Sequence, residues 1–372
     1  MVYHFTDLNP TPRLLLGPGP SMIHPRVTRA LGAPVVGHLD PDFFAVMDDV
    51  QALLRMVFEA PNAYTLAISG TGTAGMEAAI ANFVEEGDPV LVCVAGFFSE
   101  RIAEMARRYG ADVRRIEVPW GEAFTAQQVR EALQSHPAKL VAIVHGETST
   151  GVRQPLEEIA AVVHEHGALL LVDTVASLGG VPVRMEAIGI DICYSGSQKC
   201  LSAPPGLAPF ALSPRAVEVL EARRTPVANW YLDLTLLRKY WGPERVYHHT
   251  APISLIYALR EALRLIGEEG LEARFERHAR NARLLWEGLA ALDLTLHVAP
   301  EIRLPTLTTV RVPDGVDEAA VRRRLLQEYN IEIAGGLGAL KGKVWRIGLM
   351  GHSSQPVNVV TVLGALERVL AG

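Results

Sequence analysis

One hexapeptide decides how this chain is interpreted: residues 194–199 read Tyr-Ser-Gly-Ser-Gln-Lys. It follows the apolar segment 190–194 and precedes Ala-Pro-Pro-Gly at residues 203–206. The pattern predicts a strand that ends in a turn of small residues, where backbone or a bound molecule can approach Lys199 closely. A surface lysine is usually only a solvated charge. An amine in this position is also the group that forms a Schiff base with a carbonyl cofactor such as pyridoxal 5′-phosphate (PLP).

A single acid ends another apolar run, 26 positions upstream of the lysine. Residues 168–173 read Ala-Leu-Leu-Leu-Val-Asp, which is typical of a buried strand in a parallel sheet. Ligand-facing residues lie at the carboxyl ends of such strands. Asp173 could cap the helix that follows. It could also supply the carboxylate that keeps the pyridine nitrogen of PLP protonated, and the pair of strand ends favours this second interpretation.

A glycine- and threonine-rich turn is a candidate anion site. Residues 64–69 read as a strand, residues 70–75 as Gly-Thr-Gly-Thr-Ala-Gly and residues 76–84 as a helix. The N–H groups and positive dipole at a helix N-terminus suit a phosphate group. An ordinary strand-to-helix turn has the same pattern. The turn is not a P-loop, because no Gly-Lys-Ser/Thr follows it.

Composition excludes several classes of protein. The 372 residues are 49% hydrophobic and 20% charged, which is enough for a large core and about two domains. The formal net charge of −6 gives no basic footprint for nucleic acid, and no apolar run approaches the roughly 18 residues of a membrane span. Three cysteines show no metal-site spacing and fit a reducing compartment. Neither end reads as an address signal, so we expect a cytoplasmic protein with no metal.

Strands and helices alternate through the first half of the chain. Apolar runs predict strands at 89–95, 113–118, 140–145, 169–173 and 190–194. The earlier strands are separated by predicted helices at 99–108, 125–135 and 155–166. Alternation of this kind predicts an α/β fold with a mostly parallel sheet. From about residue 252 the pattern changes to long amphipathic helices and then to a small α/β region. We predict an N-terminal segment at 1–20, a large domain at 21–265 and a small C-terminal domain at 266–372.

Several motifs, in order along the chain, together resemble one enzyme family. The matching runs are residues 15–20, 69–73, 145–151, 173–180, 194–199, 247–250, 335–338 and 345–349. Over essentially its whole length the chain is similar to the class V aminotransferases, specifically the alanine–glyoxylate and serine–pyruvate (serine–glyoxylate) group. The resemblance implies a fold-type I PLP-dependent transferase with a large PLP-binding domain and a smaller C-terminal α/β domain.

The resemblance also implies roles for individual residues. Lys199 would bind PLP and shuttle a proton during transamination, with Asp173 at the ring nitrogen. Many relatives carry Trp at the position of Phe98 and His at that of Thr73, so these two contacts differ from the family pattern. The implied cofactor contacts are Phe98 and Val175 on the two ring faces, Thr148 at the ring hydroxyl, and Thr71, Gly72, Thr73 and Gln198 near the phosphate.

Arg346 interrupts the apolar pattern of residues 344–349. A charge there must face solvent, pair with an acid or line a polar pocket. The resemblance implies the pocket, in which the planar guanidinium holds the substrate carboxylate, with Gly19 at the site entrance. It also implies that Tyr247 and Thr250 reach the phosphate of the neighbouring subunit's cofactor, which predicts a homodimer with composite active sites. Tyr247 as a plain interface aromatic stays an alternative.

The implied reaction moves the amino group of alanine or serine to glyoxylate or pyruvate, giving glycine or alanine, and so suggests glycine biosynthesis. Its partners would be small amino and oxo acids, with no nucleic acid and no membrane. Three alternatives stay open: a ureidoglycine–glyoxylate aminotransferase, a PLP-dependent lyase of the cysteine desulfurase kind, and a binding protein without PLP. The desulfurase needs a mobile cysteine far from the lysine, whereas Cys93 and Cys193 lie in apolar strand patterns and Cys200 adjoins Lys199.

Overall fold

The computed structural model describes residue 5 and residues 7–371. Parts of the predicted segment 1–20 (residues 1–4 and 6) and the last residue of the predicted domain 266–372 lie outside the described residues. The strands are β1 (Leu14–Leu15), β2 (Tyr64–Ser69), β3 (Pro89–Val94), β4 (Asp112–Glu117), β5 (Leu140–Val144), β6 (Gly146–Glu147), β7 (Val152–Arg153), β8 (Leu169–Asp173), β9 (Ile192–Tyr194), β10 (Leu207–Leu212), β11 (Leu307–Arg311), β12 (Ile331–Glu332), β13 (Ala334–Gly335) and β14 (Val344–Gly348). The α-helices are α1 (Pro25–Leu31), α2 (Pro41–Val57), α3 (Gly72–Phe83), α4 (Phe97–Arg108), α5 (Ala126–Ser135), α6 (Glu157–Glu165), α7 (Met185–Ile188), α8 (Pro214–Glu221), α9 (Leu234–Trp241), α10 (Ile253–Glu269), α11 (Leu271–Ala291), α12 (Glu318–Tyr329) and α13 (Pro356–Leu370).

A seven-stranded sheet forms the centre of the molecule, in the order β2-β10-β9-β8-β5-β3-β4. The run from β9 to β4 is parallel, and β10 is antiparallel to both β2 and β9. The predicted α/β fold with a mostly parallel sheet is therefore confirmed. The alternating pattern did not predict β10, which carries Pro209 between two partner strands. Proline is unusual there because it lacks an N–H, but its carbonyl still accepts from Ser195 N at 2.8 Å.

The carboxyl ends of the parallel strands meet along one edge of this sheet. Val144 pairs with Asp173, and Asp173 pairs with Tyr194. The residues that directly follow β5, β8 and β9 therefore share one edge, as expected for a ligand site of a parallel sheet. These are the segments that contain Thr148, Val175 and Lys199.

The helices predicted at 99–108, 125–135 and 155–166 begin within two residues of the predicted starts, whereas the helix after the glycine turn does not. Helix α3 begins at Gly72, four residues before the predicted start, because the turn itself is already helical. The predicted start of α5 is confirmed: Thr125 Oγ1 accepts from Gln128 N, and Gln128 Oε1 accepts from Thr125 N, which is a capping box.

Apolar side chains form two large clusters. One surrounds the seven-stranded sheet and extends along the chain to Ile266. The other joins α11, α12, β14 and α13, and it includes Leu16, because β1 pairs with β12 and Gly348 N donates to the Leu16 carbonyl at 2.7 Å. The limits of the two domains stay a prediction. Within residues 7–371 no helix is both long and apolar enough to cross a membrane.

Candidate active site

Lys199 lies in the turn after β9, held by backbone hydrogen bonds. Its carbonyl accepts from Ser202 N at 3.0 Å and from Ser21 Oγ at 2.7 Å. Its Nζ donates to the carbonyl of Pro18. Burial disfavours the charged ammonium and lowers the pKa of Lys199 to about 8. At pH 7 about a tenth of the amine is therefore uncharged, and so nucleophilic, which is far more than for an ordinary lysine.

Asp173 ends β8 with both carboxylate oxygens hydrogen-bonded. Oδ1 accepts from Val175 N at 2.8 Å, and Oδ2 accepts from the Tyr194 hydroxyl at 2.7 Å. Burial raises the pKa of Asp173 to about 6, while the two donors and the charge of Lys199 act in the opposite direction. The carboxylate therefore stays ionised at neutral pH although it is buried.

The glycine turn after β2 closes on this pair. A Cβ on Gly72 would lie 3.0 Å from Val175 Cγ2 and 3.6 Å from the Ser195 carbonyl. A Cβ on Gly196 would lie 3.0 Å from Gln198 Oε1, a buried oxygen that has no hydrogen-bond partner among the described residues. The N-terminus of α3, Val175 and the Gln198 amide therefore share one small space, and Thr71 is the N-cap residue of α3.

Phe98 lies half-buried in the first turn of α4, edge to face with Phe97 at a centroid distance of 5.7 Å. The guanidinium carbon of Arg101 lies 5.2 Å from the Phe98 centroid and 5.3 Å from the Phe97 centroid. Arg101 Nη1 also donates to Thr73 Oγ1 at 3.1 Å. Arg101 thus ties the aromatic pair to the glycine turn. The sequence interpretation did not single it out, although its spacing of three and four from the two rings was a usable signal.

Arg346 lies within β14, with only 6% of its surface exposed. Its Nε donates to the Gly335 carbonyl at 2.7 Å, and its Nη1 donates to the Thr148 carbonyl at 3.1 Å. Burial lowers the pKa of Arg346 to about 10, so the guanidinium keeps its charge at neutral pH. Since these two bonds go to neutral carbonyls of the described chain, the positive charge can still bind an anion. Thr148 itself is buried beside it.

Glu147 is a buried acid that the sequence interpretation did not single out. Its exposed fraction is 1%, and Oε1 accepts from Ser149 N at 3.0 Å and from Ser149 Oγ at 2.6 Å. Oε2 is buried without a hydrogen-bond partner in residues 7–371. Burial, with a smaller effect of the Asp173 charge, raises the pKa of Glu147 to about 7. The signal was present, since Glu147 follows the apolar run of β5 just as Asp173 ends that of β8.

The N-terminal segment passes directly over the lysine. Gly19 has φ +103°, and a Cβ there would lie 2.5 Å from Lys199 Cδ and 2.9 Å from its Nζ. Ser21 N donates to the Gln198 carbonyl at 2.8 Å. On the other side, a Cβ on Gly348 would lie 2.0 Å from the Gly17 carbonyl oxygen. Residues 16–21 therefore connect β14 with the turn that carries Lys199.

Tyr247 and Thr250 lie on the surface of the chain. Tyr247 is 56% exposed and contacts the ring of His38 at a centroid distance of 5.0 Å, and Thr250 is exposed as well. The two histidines between them are buried. Within the described residues, no group of three or more His, Cys, Asp or Glu side chains is placed to hold a metal ion.

These groups match what PLP requires of a protein. The buried Asp173 carboxylate suits a pyridine nitrogen, and the Lys199 amine suits an aldehyde. The N-terminus of α3 suits a phosphate, and Gly72 leaves space that a side chain would fill. The residues present therefore fit this cofactor.

Comparison with known proteins agrees with the geometry. The family model for class-V aminotransferases matches residues 24–354. An alanine–glyoxylate aminotransferase from Rattus norvegicus is 45% identical over 96% of this chain and 87% of its own length. An (S)-ureidoglycine–glyoxylate transaminase from Bacillus subtilis is 40% identical over 96% of this chain and 90% of its own length. The crystal structure of an alanine–glyoxylate aminotransferase from Nostoc sp. superimposes with a TM-score of 0.98 at 59% identity and covers 99% of this chain and 98% of that one.

Proposed function

This chain belongs to the class-V aminotransferase family, and we propose that it moves the amino group of alanine or serine to glyoxylate or pyruvate, giving glycine or alanine. It is a PLP-dependent transaminase. The observation that carries the choice of substrate is the buried Arg346 beside Thr148: its charge suits a substrate carboxylate, and it lies near enough to Lys199 to help lower the pKa of that amine. The names of the rat and Nostoc relatives support glyoxylate as acceptor.

When bound, PLP supplies a carbonyl that takes up the substrate amine and a ring that accepts electrons from its Cα. In this proposal the phosphate is held by Thr71, Gly72 and Thr73 at the start of α3, with Gln198 nearby. Phe98 and Val175 lie on the two faces of the ring, and Thr148 bonds the ring hydroxyl. Asp173 keeps the ring nitrogen protonated, because the donors Val175 N and Tyr194 hold its carboxylate charged.

Lys199 is the base in this proposal. Its amine would remove the proton from the substrate Cα and then, as an acid, would donate a proton to the carbon that was the cofactor's aldehyde; a pKa of about 8 is well matched to both roles near neutral pH. Arg346 holds the substrate carboxylate by two parallel hydrogen bonds, which orients the Cα–H bond towards the amine. Gly19 lets the backbone pass close to Lys199, since a Cβ there would overlap the lysine side chain.

The functional unit in this proposal is a homodimer in the cytoplasm. The exposed Tyr247 and Thr250 are free to contact a neighbouring subunit, where they would complete its phosphate site. Each active site would then contain residues of both chains. A glycine-forming reaction of this kind fits glycine biosynthesis.

A half-reaction screen tests the proposal. Each candidate amino acid is added to the purified holoenzyme, and amination of the cofactor is followed by absorbance; glyoxylate or pyruvate is then added to reverse the change. We expect alanine or serine to aminate the cofactor and glyoxylate to restore it with formation of glycine. The variant Arg346→Gln tests the carboxylate site: it should need a far higher amino acid concentration for the same conversion of the cofactor.

Three outcomes would overturn this choice of substrate. Conversion by glutamate with none by alanine or serine would show a site for a distal carboxylate. Conversion by ureidoglycine alone would favour the activity named for the Bacillus relative. Sulfide release from cysteine would indicate a lyase, although Cys93, Cys193 and Cys200 are all buried.

A further inference from the structure

The tetrapeptide at residues 247–250 has two faces. Tyr247 and Thr250 point to the surface, whereas His248 and His249 are 6% and 9% exposed. Both buried histidines are hydrogen-bonded within the chain, on the side of the glycine turn. The exposed pair has a role in the proposed function, and the buried pair has none.

The two histidines join a tryptophan at the surface to the end of β2. His249 Nε2 lies 2.7 Å from Ser69 Oγ, and His249 Nδ1 lies 2.8 Å from His248 Nδ1. His248 Nε2 lies 3.3 Å from the carbonyl oxygen of Trp230, whose ring stacks on His248 at 4.4 Å with an interplanar angle of 8°. Ser69 is the last residue of β2 and directly precedes the Gly-Thr-Gly turn.

One end of this chain of contacts fixes the direction of every hydrogen bond in it. A carbonyl can only accept, so His248 must donate from Nε2 and, as a neutral ring, must accept at Nδ1. His249 must then donate from Nδ1 and accept at Nε2, which leaves Ser69 as the donor of the last bond. Burial lowers the pKa of His248. Burial and the charge of the neighbouring His248 lower the pKa of His249 to about 4. Both rings are therefore neutral at pH 7.

We propose that His248 and His249 form a hydrogen-bond relay that fixes the Ser69 hydroxyl and thereby positions the glycine turn for the phosphate of PLP. In the relay the Ser69 proton is committed to His249, so the Ser69 oxygen presents only lone pairs to the turn beside it. His249 is a positioning residue, because it acts through its hydrogen bond with Ser69. The role rests on the proposed phosphate site at Thr71, Gly72 and Thr73.

Two variants of His249 separate hydrogen bonding from packing. The amide of Gln reaches about as far as the Nε2 of His, whereas the amide of Asn reaches about as far as Nδ1. His249→Gln therefore keeps an acceptor for Ser69, and His249→Asn keeps only the contact with His248. PLP uptake by each apoprotein is titrated by protein fluorescence, with the melting temperature of the apoprotein as a folding control and His136→Asn, at an exposed residue, as a histidine control.

We expect His249→Asn and Ser69→Ala each to weaken PLP binding by about five- to tenfold, the effect of one hydrogen bond. The double variant should be no weaker than either single one, because both remove the same bond. His249→Gln should stay within about twofold of the unaltered protein, since it retains that bond.

Equal losses of PLP affinity in His249→Gln and His249→Asn would overturn the relay. So would a double variant whose loss of affinity is the product of the two single losses. Neither result would affect the proposed phosphate site. Failure of the unaltered apoprotein to take up PLP at all would overturn both the proposed phosphate site and the relay. Since uptake is measured without substrate, the choice of amino donor does not affect either result.

Discussion

Replacing Gly19 by alanine is expected to displace the side chain of Lys199, and so to impair its function, although Lys199 itself is not mutated. Gly19 has φ +103°, a backbone region that side chains disfavour. The new Cβ would lie 2.5 Å from Lys199 Cδ, 3.0 Å from Cε and 2.9 Å from Nζ. The lysine must therefore move away from the position in which it donates to the Pro18 carbonyl.

The magnitude has two parts. An alanine held at a positive φ costs about 1–3 kcal/mol of stability. A lysine forced out of its rotamer costs about 0.5–1.5 kcal/mol more, so Gly19→Ala should lose about 1.5–4.5 kcal/mol of stability. For the reaction, a catalytic group misplaced by about 1 Å loses on the order of 100-fold in rate.

Gly17→Ala is the matched control, because it makes the same change two residues away in the same segment. Its Cβ would meet nothing closer than the Glu332 carbonyl oxygen at 3.9 Å, and Gly17 has no positive φ. We expect a stability change within about 0.5 kcal/mol for this variant. The assays are the melting temperature, the absorbance of the lysine-bound cofactor and single-turnover conversion of alanine. Equal behaviour of the two variants in all three would refute the account of Gly19.

Three further substitutions test the charged groups of the site. Asp173→Asn should lower kcat by about 100- to 1,000-fold, as expected for a lost preorganised charge; an unaltered kcat would contradict its role. Arg346→Lys should raise KM for the amino acid about 10- to 100-fold, because the two-pronged bond to a carboxylate is lost, and steady-state kinetics with alanine would show it. Glu147→Gln should change how the free energy of unfolding depends on pH. The pKa of Glu147 in the folded chain, about 7, lies above its ordinary 4.5. Ionisation of this acid therefore costs the wild type up to about 3 kcal/mol of stability as the pH rises from 4.5 to about 7. Melting temperatures from pH 5 to 8 should therefore diverge between wild type and Glu147→Gln, and should not diverge for the exposed Glu158→Gln.

The inner strands β5, β8 and β9 could be predicted because they are fully buried. Such strands read as unbroken apolar runs, and the polar residues at or just after their carboxyl ends mark the edge where ligands bind. Lys199 and Asp173 were found in this way. The strand β10 was missed because Pro209 breaks the usual strand pattern, and its antiparallel position between β2 and β9 depends on tertiary pairing.

The supporting residues of the site could not be predicted in the same way. Arg101 reaches Thr73 only because α3 and α4 pack side by side, a contact between segments 28 residues apart. His249 reaches Ser69 across 180 residues, and nothing near either residue in the sequence indicates the other. Sequence pattern identifies groups at strand ends, since the sheet places them, but not partners that are brought together by packing.

Glu147 and Asp173 show why residue type alone did not settle the electrostatics of the site. Both are buried acids: Asp173 ends β8, and Glu147 ends β6, which pairs with β7 in a separate two-stranded sheet. Asp173 has a donor on each oxygen, because the pairing of β8 with β9 places Tyr194 opposite it. At Glu147, Oε1 accepts two bonds from Ser149, whereas Oε2 has no hydrogen-bond partner within the part of the chain that the structure describes. Burial raises the pKa of Glu147 to about 7 and that of Asp173 to about 6. At Asp173 the positive charges of Lys199 and Arg101 oppose the effect of burial, whereas the charge of Asp173 adds to it at Glu147, so Asp173 is the acid suited to hold a positive ring nitrogen.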